Sequence, residues 1–383
     1  MDSAYDLVVV GGGIAGGALA IVMARAGYSV LLLEETDAFQ DKVRGEWIAP
    51  WGVAEVQHLG LYNLLLSAGG HHLSRHTTYE ESRPPEAADA ASMPLDVFIP
   101  GVAGPLCLGH PLHCQTLFDE AGRTGATALR GVAVERLTFG PSPSVAYTHK
   151  GERRTARARL IVGADGRTSM VRDAARIVLH QDPPHHLFAG MLIEGAHGWD
   201  EGLQAIGTDD GFAFLAFPQG NGRVRLYGSY PLDRRGRFSG VSGQRDFLDA
   251  FVMGCAPANR YLAEGTPAGP VMTYVNASSW TDTPYAEGVV LAGDAAGWTD
   301  PPFAEGAVLI GDAAGWTDPI IGLGLSIAYR DVRMVTDILK ASDDWSPPVF
   351  APYAEERAER TRRLRFAAAL TATLDAEFGP KAR

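Results

Sequence analysis

Residues 11–16 read Gly-Gly-Gly-Ile-Ala-Gly and directly follow the apolar run Leu7-Val8-Val9-Val10. Gly11-x-Gly13-x-x-Gly16 at the end of a predicted strand is the turn that cradles the diphosphate of a dinucleotide. Gly11 permits the tight turn, Gly13 lets a diphosphate approach bare backbone amides, and Gly16 lets helix and strand pack closely. The positive N-terminus of the helix that follows faces the anion. A helix is predicted over Ala18 to Ala26 and a second strand over Tyr28 to Leu33, with Glu34 and Glu35 next. Glu34 stands where a carboxylate accepts hydrogen bonds from a ribose 2′-hydroxyl and repels a 2′-phosphate. A glycine-rich turn in some other βα unit is the alternative. Strand, helix, second strand and acid in register favour the dinucleotide.

Three further stretches carry polar residues beside predicted element ends. Arg44 stands in Arg-Gly-Glu-Trp-Ile-Ala-Pro, ahead of a helix predicted from Trp51 to Ser67. The strand Arg159 to Val162 closes on Gly163-Ala164-Asp165-Gly166-x-x-Ser169-x-Val171-Arg172. Gly311-Asp312 is followed by Pro319-Ile320-Ile321-Gly322-Leu323-Gly324 and a helix.

Between these stretches lie the elements that must position them. A helix is predicted over Pro111 to Thr124, and strands over Ala126 to Thr138 and Val145 to Thr148. Residues 80–105 read as an excursion rich in Pro, Ala and acids. Leu187 to Ile193, Phe212 to Phe217 and Arg223 to Tyr230 read as antiparallel strands, the last two joined at Gly220-Asn221-Gly222. A helix is predicted over Gln244 to Met253 and a strand over Val271 to Val275. Alternation puts Phe212 and Phe214 on one face, where core packing is favoured over a pocket wall. The Arg/Glu run after Tyr353 reads as a solvated helical face with intrahelical ion pairs.

Trp-Thr-Asp occurs at 280, 298 and 316, and residues 280–297 match 298–315 at 14 of 18 positions. Each copy holds one strand ending in Gly-Asp-Ala-Ala-Gly, and one sheet position cannot hold both. The second copy is expected in the functional slot because it runs directly into Pro319 and a helix. Pro301-Pro302 interrupts the first copy's continuation. The extra copy is then a surface excursion or an added edge strand.

The chain has 383 residues and a formal net charge of −12, which disfavours a nucleic-acid or anionic membrane partner. No apolar run reaches the length of a membrane span. A first strand beginning near Tyr5 leaves no room for a signal peptide, so a cytoplasmic location is expected. Cys107, Cys114 and Cys255 read as buried inert thiols in a reducing compartment. His71, His72, His76, His185 and His186 have no carboxylate or thiol at ligand spacing, so no metal is expected. Trp47 and Trp51 read as packing residues.

Taken in order, these motifs resemble the flavoprotein monooxygenases of the para-hydroxybenzoate hydroxylase type. The resemblance implies an α/β fold: a Rossmann-like FAD-binding domain (1–74, 104–180 and 278–340), an antiparallel-sheet substrate domain (75–103 and 181–277) and C-terminal helices (341–383). It implies FAD held by Gly11, Gly13, Ile14, Ala15 and Gly16, with Glu34 and Glu35 at the adenosine ribose. Arg44 then reaches the FAD phosphates or ribityl chain. Asp165 and Gly166 lie near the diphosphate, in a motif also tied to NAD(P)H binding; capping of a turn is the other reading of Asp165. Gly311 and Asp312 meet the ribityl chain. Pro319, Gly322, Leu323 and Gly324 surround the isoalloxazine ring at the positive end of the following helix. Where many members carry an arginine near residue 111, this chain has His110.

The implied activity is an NAD(P)H-consuming monooxygenase that acts through a flavin C4a-hydroperoxide on a hydrophobic or aromatic small molecule, with O₂ as co-substrate. No side-chain acid or base is implied, because the cofactor carries the chemistry. A flavin-dependent reductase of C=C bonds of the prenyl reductase kind, or a flavin-binding protein with an inactive site, would share these motifs. A halogenase is disfavoured because its Trp-x-Trp-x-Ile-Pro signature is missing. A disulfide reductase is disfavoured because no cysteine pair follows the first glycine motif.

Overall fold

The computed structural model describes residues 2–43, 45–140, 142–286, 289–291, 307–315 and 318–372. Five strands follow the parallel order Ala307–Leu309, Glu152–Gly163, Asp2–Val10, Val30–Leu33, Thr127–Leu129, with Val289–Leu291 added outside Ala307–Leu309. The first strand is apolar over Leu7–Val10 because both its faces are covered there. Leu7 and Val9 pack beneath the helices Ile14–Arg25 and His110–Arg123, whereas Val8 and Val10 meet Ile161, Val171 and Leu309 on the other side. The strand Glu152–Gly163 pairs antiparallel with Ser144–His149 in its first half and parallel with Asp2–Val10 from Thr155 to Gly163.

A second sheet runs Thr266–Pro267, His186–Glu194, Arg223–Pro231, Phe212–Gly220, Leu203–Asp209, Arg75–Glu80, Met93–Pro94, with Met272–Asn276 also on His186–Glu194. Its pairs are antiparallel except Arg75–Glu80 with Leu203–Asp209. The turn Gly220-Asn221-Gly222 has positive φ at all three residues, which explains its glycines. Phe212 and Phe214 pack among Phe238, Phe247 and Phe251 on one face. Leu215 and Phe217, on the alternate positions, face the other way.

Several boundaries differ from expectation for local reasons. The first helix spans Ile14–Arg25, because it starts immediately after the glycine turn. The helix expected over Trp51 to Ser67 is two, Pro50–His58 and Tyr62–Ser67, broken at Gly60 with φ of 67°. Gly131, with φ of 63°, likewise splits Thr127–Leu129 from Val132–Thr138. The excursion at 80–105 contains the short helix Pro85–Ala90, and the helix expected over Gln244 to Met253 is Gly243–Asp249. Leu203–Asp209 had no strand signal. Its Gly207 is required because a side chain there would press on Tyr79 O and the Phe214 ring.

The tail is not a uniformly solvated face. In the helix Ala351–Thr371, Glu359 pairs with Arg362 and Arg363 at the surface as expected. Arg357, however, is 0% exposed, and both it and Arg360 meet buried Asp331 of the helix Gly324–Ala341. Sequence periodicity could not show a partner on another helix. Among the described residues no helix is long and apolar enough to cross a membrane.

The strand of the second repeat copy, Ala307–Leu309, lies beside Glu152–Gly163, with Ile161 opposite Ala307 and Gly163 opposite Leu309. The first copy's Val289–Leu291 pairs on its outer side as an added strand. Side-chain volume supports this order. Ile310, next after the inner strand, is fully buried in the main core. Its counterpart in the first copy is Ala292, which lies outside the described residues. We expect Ile310→Ala to lower unfolding free energy by about 2–5 kcal/mol in chemical denaturation, as a lost buried isoleucine does. A loss below about 1 kcal/mol would remove this reason for the order.

Candidate functional site

A cleft of about 1090 Å³ runs between the two sheets. Its wall begins at the glycine turn. Gly11 has φ of 101°, and a side chain there would collide with Ala164 O. Gly16 does not line the cleft; it sits beneath Gly11 O, where a Cβ has no room, so its role is close packing. Gly13, Ile14 and Ala15 line the cleft, and a Cβ on Gly13 would have no heavy atom within 4 Å. Gly13 is also the N-cap of Ile14–Arg25, with no side-chain cap and no acid in the first turn. Bare amides at the positive end of a three-turn helix therefore open onto this space.

Glu34 and Glu35 line the same end. The Glu34 carboxylate is oriented by three donors: Gly12 N at 2.8 Å, Thr36 N at 2.9 Å and Thr36 Oγ1 at 2.7 Å. Asp165 and Gly166 also line the cleft, but the Asp165 carboxylate holds its own turn. It accepts from Ser169 Oγ at 2.6 Å and Val171 N at 3.1 Å, and burial pushes its pKa up. Arg172, buried, donates to Ala313 O at 3.0 Å and Arg167 O at 3.1 Å, tying this motif to the next. Gly311 and Asp312 line the cleft, with Asp312 Oδ2 3.2 Å from Arg167 Nε.

Gly322 and Gly324 line it as well, and Gly324 starts the helix Gly324–Ala341. Leu323 is the N-cap of that helix and does not line the wall; Pro319 opens the short 3₁₀ turn Pro319–Ile321 just before it. Arg44 lies outside the described residues.

The opposite end is aromatic. Trp47, Phe188, Leu215, Phe217, Tyr227 and Tyr274 converge there, with Trp47 tilted on Phe217 and Phe188 on Tyr227. Trp47 is therefore a cleft residue as well as a packing one. Its neighbours come from strands distant in sequence, so only the alternation at Leu215 and Phe217 could have pointed to them.

Beside this wall lies a buried ion cluster that sequence reasoning missed. Arg225, 1% exposed, makes a bidentate contact with Glu46, 3% exposed, and a further bond to Asp41 Oδ2 at 2.6 Å. Burial opposes the Arg225 charge, but the two carboxylates outweigh it and hold its pKa above the ordinary value. Burial also pushes the Glu46 carboxyl up, only partly offset by Arg225. Tyr274 Oη donates to Val43 O at 3.1 Å and Trp47 Nε1 to Gln204 Oε1 at 2.8 Å. The residues on both sides of Arg44 are thus fastened to the second sheet.

Comparison with known proteins decides the family. A family model described as "FAD binding domain" matches residues 4–307. The chain belongs to this FAD-binding family. It is 23% identical to squalene epoxidase 2 of Arabidopsis thaliana over 350 residues, 89% of this chain and 54% of that protein. The chain spans 54–59% of the length of the squalene epoxidases it matches in this way. In fold it is similar to PqsL of Pseudomonas aeruginosa, described as a probable FAD-dependent monooxygenase, at TM-score 0.77 and 19% identity over 98% of this chain and 97% of that one. It is similar too to p-nitrophenol 4-monooxygenase PnpA of Pseudomonas putida, at TM-score 0.79 and 18% identity over 100% of this chain and 91% of that one.

The wall fits FAD. Bare helix amides suit its diphosphate, an oriented carboxylate suits its ribose, and glycine backbone with flat aromatic side chains suits its tricyclic ring.

Proposed function

We propose that this chain is an FAD-dependent monooxygenase. NADH or NADPH supplies two electrons, O₂ supplies the oxygen, one oxygen atom enters a hydrophobic or aromatic small molecule, and the other leaves as water. The observation that carries this reading is one continuous cleft joining the bare glycine turn to an aromatic chamber. Bound FAD supplies the electron transfer and the reaction with oxygen.

The protein's task is to bind, orient and exclude water. The amides at Gly13 to Ala15 hold the diphosphate, assisted by Arg44, with Asp165 keeping the Gly166 turn in shape. Glu34 accepts from the adenosine ribose and Asp312 from the ribityl chain. The Gly322 and Gly324 backbone faces the ring, where the positive helix end favours the negative charge of the reduced state. Trp47, Phe188, Phe217 and Tyr227 form a dry wall around the substrate, which protects a reactive oxygen donor from water. The substrate part comprises 75–103 and 181–277, and the FAD part comprises the segments before, between and after these.

Titration of the purified protein with FAD in a calorimeter, followed by NAD(P)H oxidation with and without O₂, tests this. Oxidation should stall without O₂ and resume with it. Continued oxidation on an unsaturated acceptor without O₂ would make the enzyme a reductase, and failure to bind FAD would end the reading altogether.

The repeat supplies a second test. Asp312→Ala should weaken FAD binding by about tenfold, the worth of one hydrogen bond to a charged group, and Asp294→Ala should do so much less. Asp294 lies outside the described residues. The opposite order would transfer the ribityl role to the first copy.

A further inference from the structure

The Trp-Thr-Asp triplet at 280, 298 and 316 is not explained by the cleft. Two of its three acids are described, and each meets a histidine of one short segment. Asp282 lies 2.8 Å from His180 Nε2, while Trp280 stacks on the same imidazole with ring centroids 5.4 Å apart. Asp318 Oδ1 lies 3.3 Å from His186 Nε2. The second pair is sealed from solvent, with His186 0% and Asp318 5% exposed.

Asp318 begins the chain segment that turns through Pro319–Ile321 into Gly322 and Gly324 on the cleft wall. Its carboxylate accepts from Ile320 N at 3.0 Å, and its own amide donates to Ser278 Oγ at 3.1 Å. His186 opens the strand His186–Glu194, gripped on both sides by Arg223–Pro231 and Met272–Asn276. Among the described residues neither ring nitrogen of His186 makes a hydrogen bond, and the Asp318 carboxylate at 3.3 Å is the acidic group its Nε2 faces. Phe188, two residues on and on the same face, lines the cleft.

We infer that His186 is a positioning residue: through Asp318 it pins the segment 318–324 to the second sheet and so sets where the Gly322 and Gly324 backbone stands. The placement of that backbone at the flavin ring rests on the function proposed above. A buried carboxylate needs a buried partner, and a rigid strand supplies one at a fixed position. The same anchoring gives the duplication a physical account. Trp280 and Asp282 at one end and Asp318 at the other each meet the segment 180–186, so 18 residues added between them leave both ends in place.

The test uses the full chain with His186→Ala, His186→Gln and Asp318→Asn. Amide hydrogen exchange over 318–324 is measured on the protein without FAD, and FAD affinity and the visible circular dichroism of the bound flavin are measured separately. His186→Ala should speed exchange in this segment by about tenfold or more, because it leaves the buried Asp318 carboxylate without the polar group that faces it. It should weaken FAD binding by a similar factor and alter the flavin dichroism. His186→Gln, whose amide nitrogen can reach the Nε2 position, should recover most of each effect. Unchanged exchange in His186→Ala, or glutamine performing no better than alanine, would overturn the inference. If His186→Ala does not fold, Asp318→Asn, which keeps the shape of the acid, carries the same comparison. The exchange measurement needs no cofactor. A wild type that refuses FAD yet shows the anchor in exchange would therefore overturn the proposed function and leave the anchor standing.

Discussion

Gly13→Val should yield a protein that folds as the wild type does and binds FAD about a hundredfold more weakly or not at all, an overpacking cost near the upper end of about 1–3 kcal/mol. Both halves of that expectation come from one position. Gly13 has φ of −69° and ψ of −163°, an extended conformation open to valine. A Cβ placed there meets no heavy atom within 4 Å, because the space in front of it is the cleft. The side chain therefore costs the apoprotein little and stands where the diphosphate must approach the amides. Gly16→Ala is the contrast: its Cβ would collide with Gly11 O, so that variant should lose stability first and FAD as a consequence. Thermal unfolding of the apoprotein and calorimetric titration with FAD separate the two. A Gly13→Val protein with wild-type FAD affinity would contradict the placement of the diphosphate.

Arg225→Ala should cost about 3–5 kcal/mol of folding stability, the usual consequence of leaving a buried charge without its partner. Glu46 would remain nearly fully buried, and Asp41 would lose its hold on the same guanidinium. The deficit should depend on pH in a definite direction. Glu46 already has a raised pKa in the fold, and loss of Arg225 raises it further. A carboxyl with a raised folded pKa favours the folded state most when protonated, so the deficit is smallest below the ordinary carboxylate range, near pH 4, and grows as pH rises through the folded value. Replacing both partners by apolar side chains, as in Arg225→Met with Glu46→Leu, should recover much of the loss. Urea denaturation at several pH values measures all of this. A single variant as stable as the wild type at pH 7 would mean that the cluster contributes nothing.

The two predictions rest on features of different legibility. The glycine turn, its strand and helix, Glu34 and the repeat were readable because each is a local device. Gly11 needs its positive φ, Gly13 its bare backbone and Gly16 its close packing, whatever the remainder of the chain does. Strand alternation likewise put Phe212 and Phe214 on one face, in core packing, before any contact was known. The helix break at Gly60 and the strand break at Gly131 were less visible, since a glycine in an apolar run can continue an element or end it.

Sequence alone determined that this chain carries a dinucleotide turn, a second acidic turn and a third glycine-rich turn in the order its family uses, because the required backbone conformations and residue sizes are local properties. Tertiary structure alone decided that Trp47 and Phe188 share one chamber, and that Arg225 seals Glu46 and Asp41 while His186 faces Asp318. The partners in these pairs stand far apart along the chain, and neither member changes the local pattern around it. Their meeting follows from how two sheets pack, which no spacing within a short segment encodes.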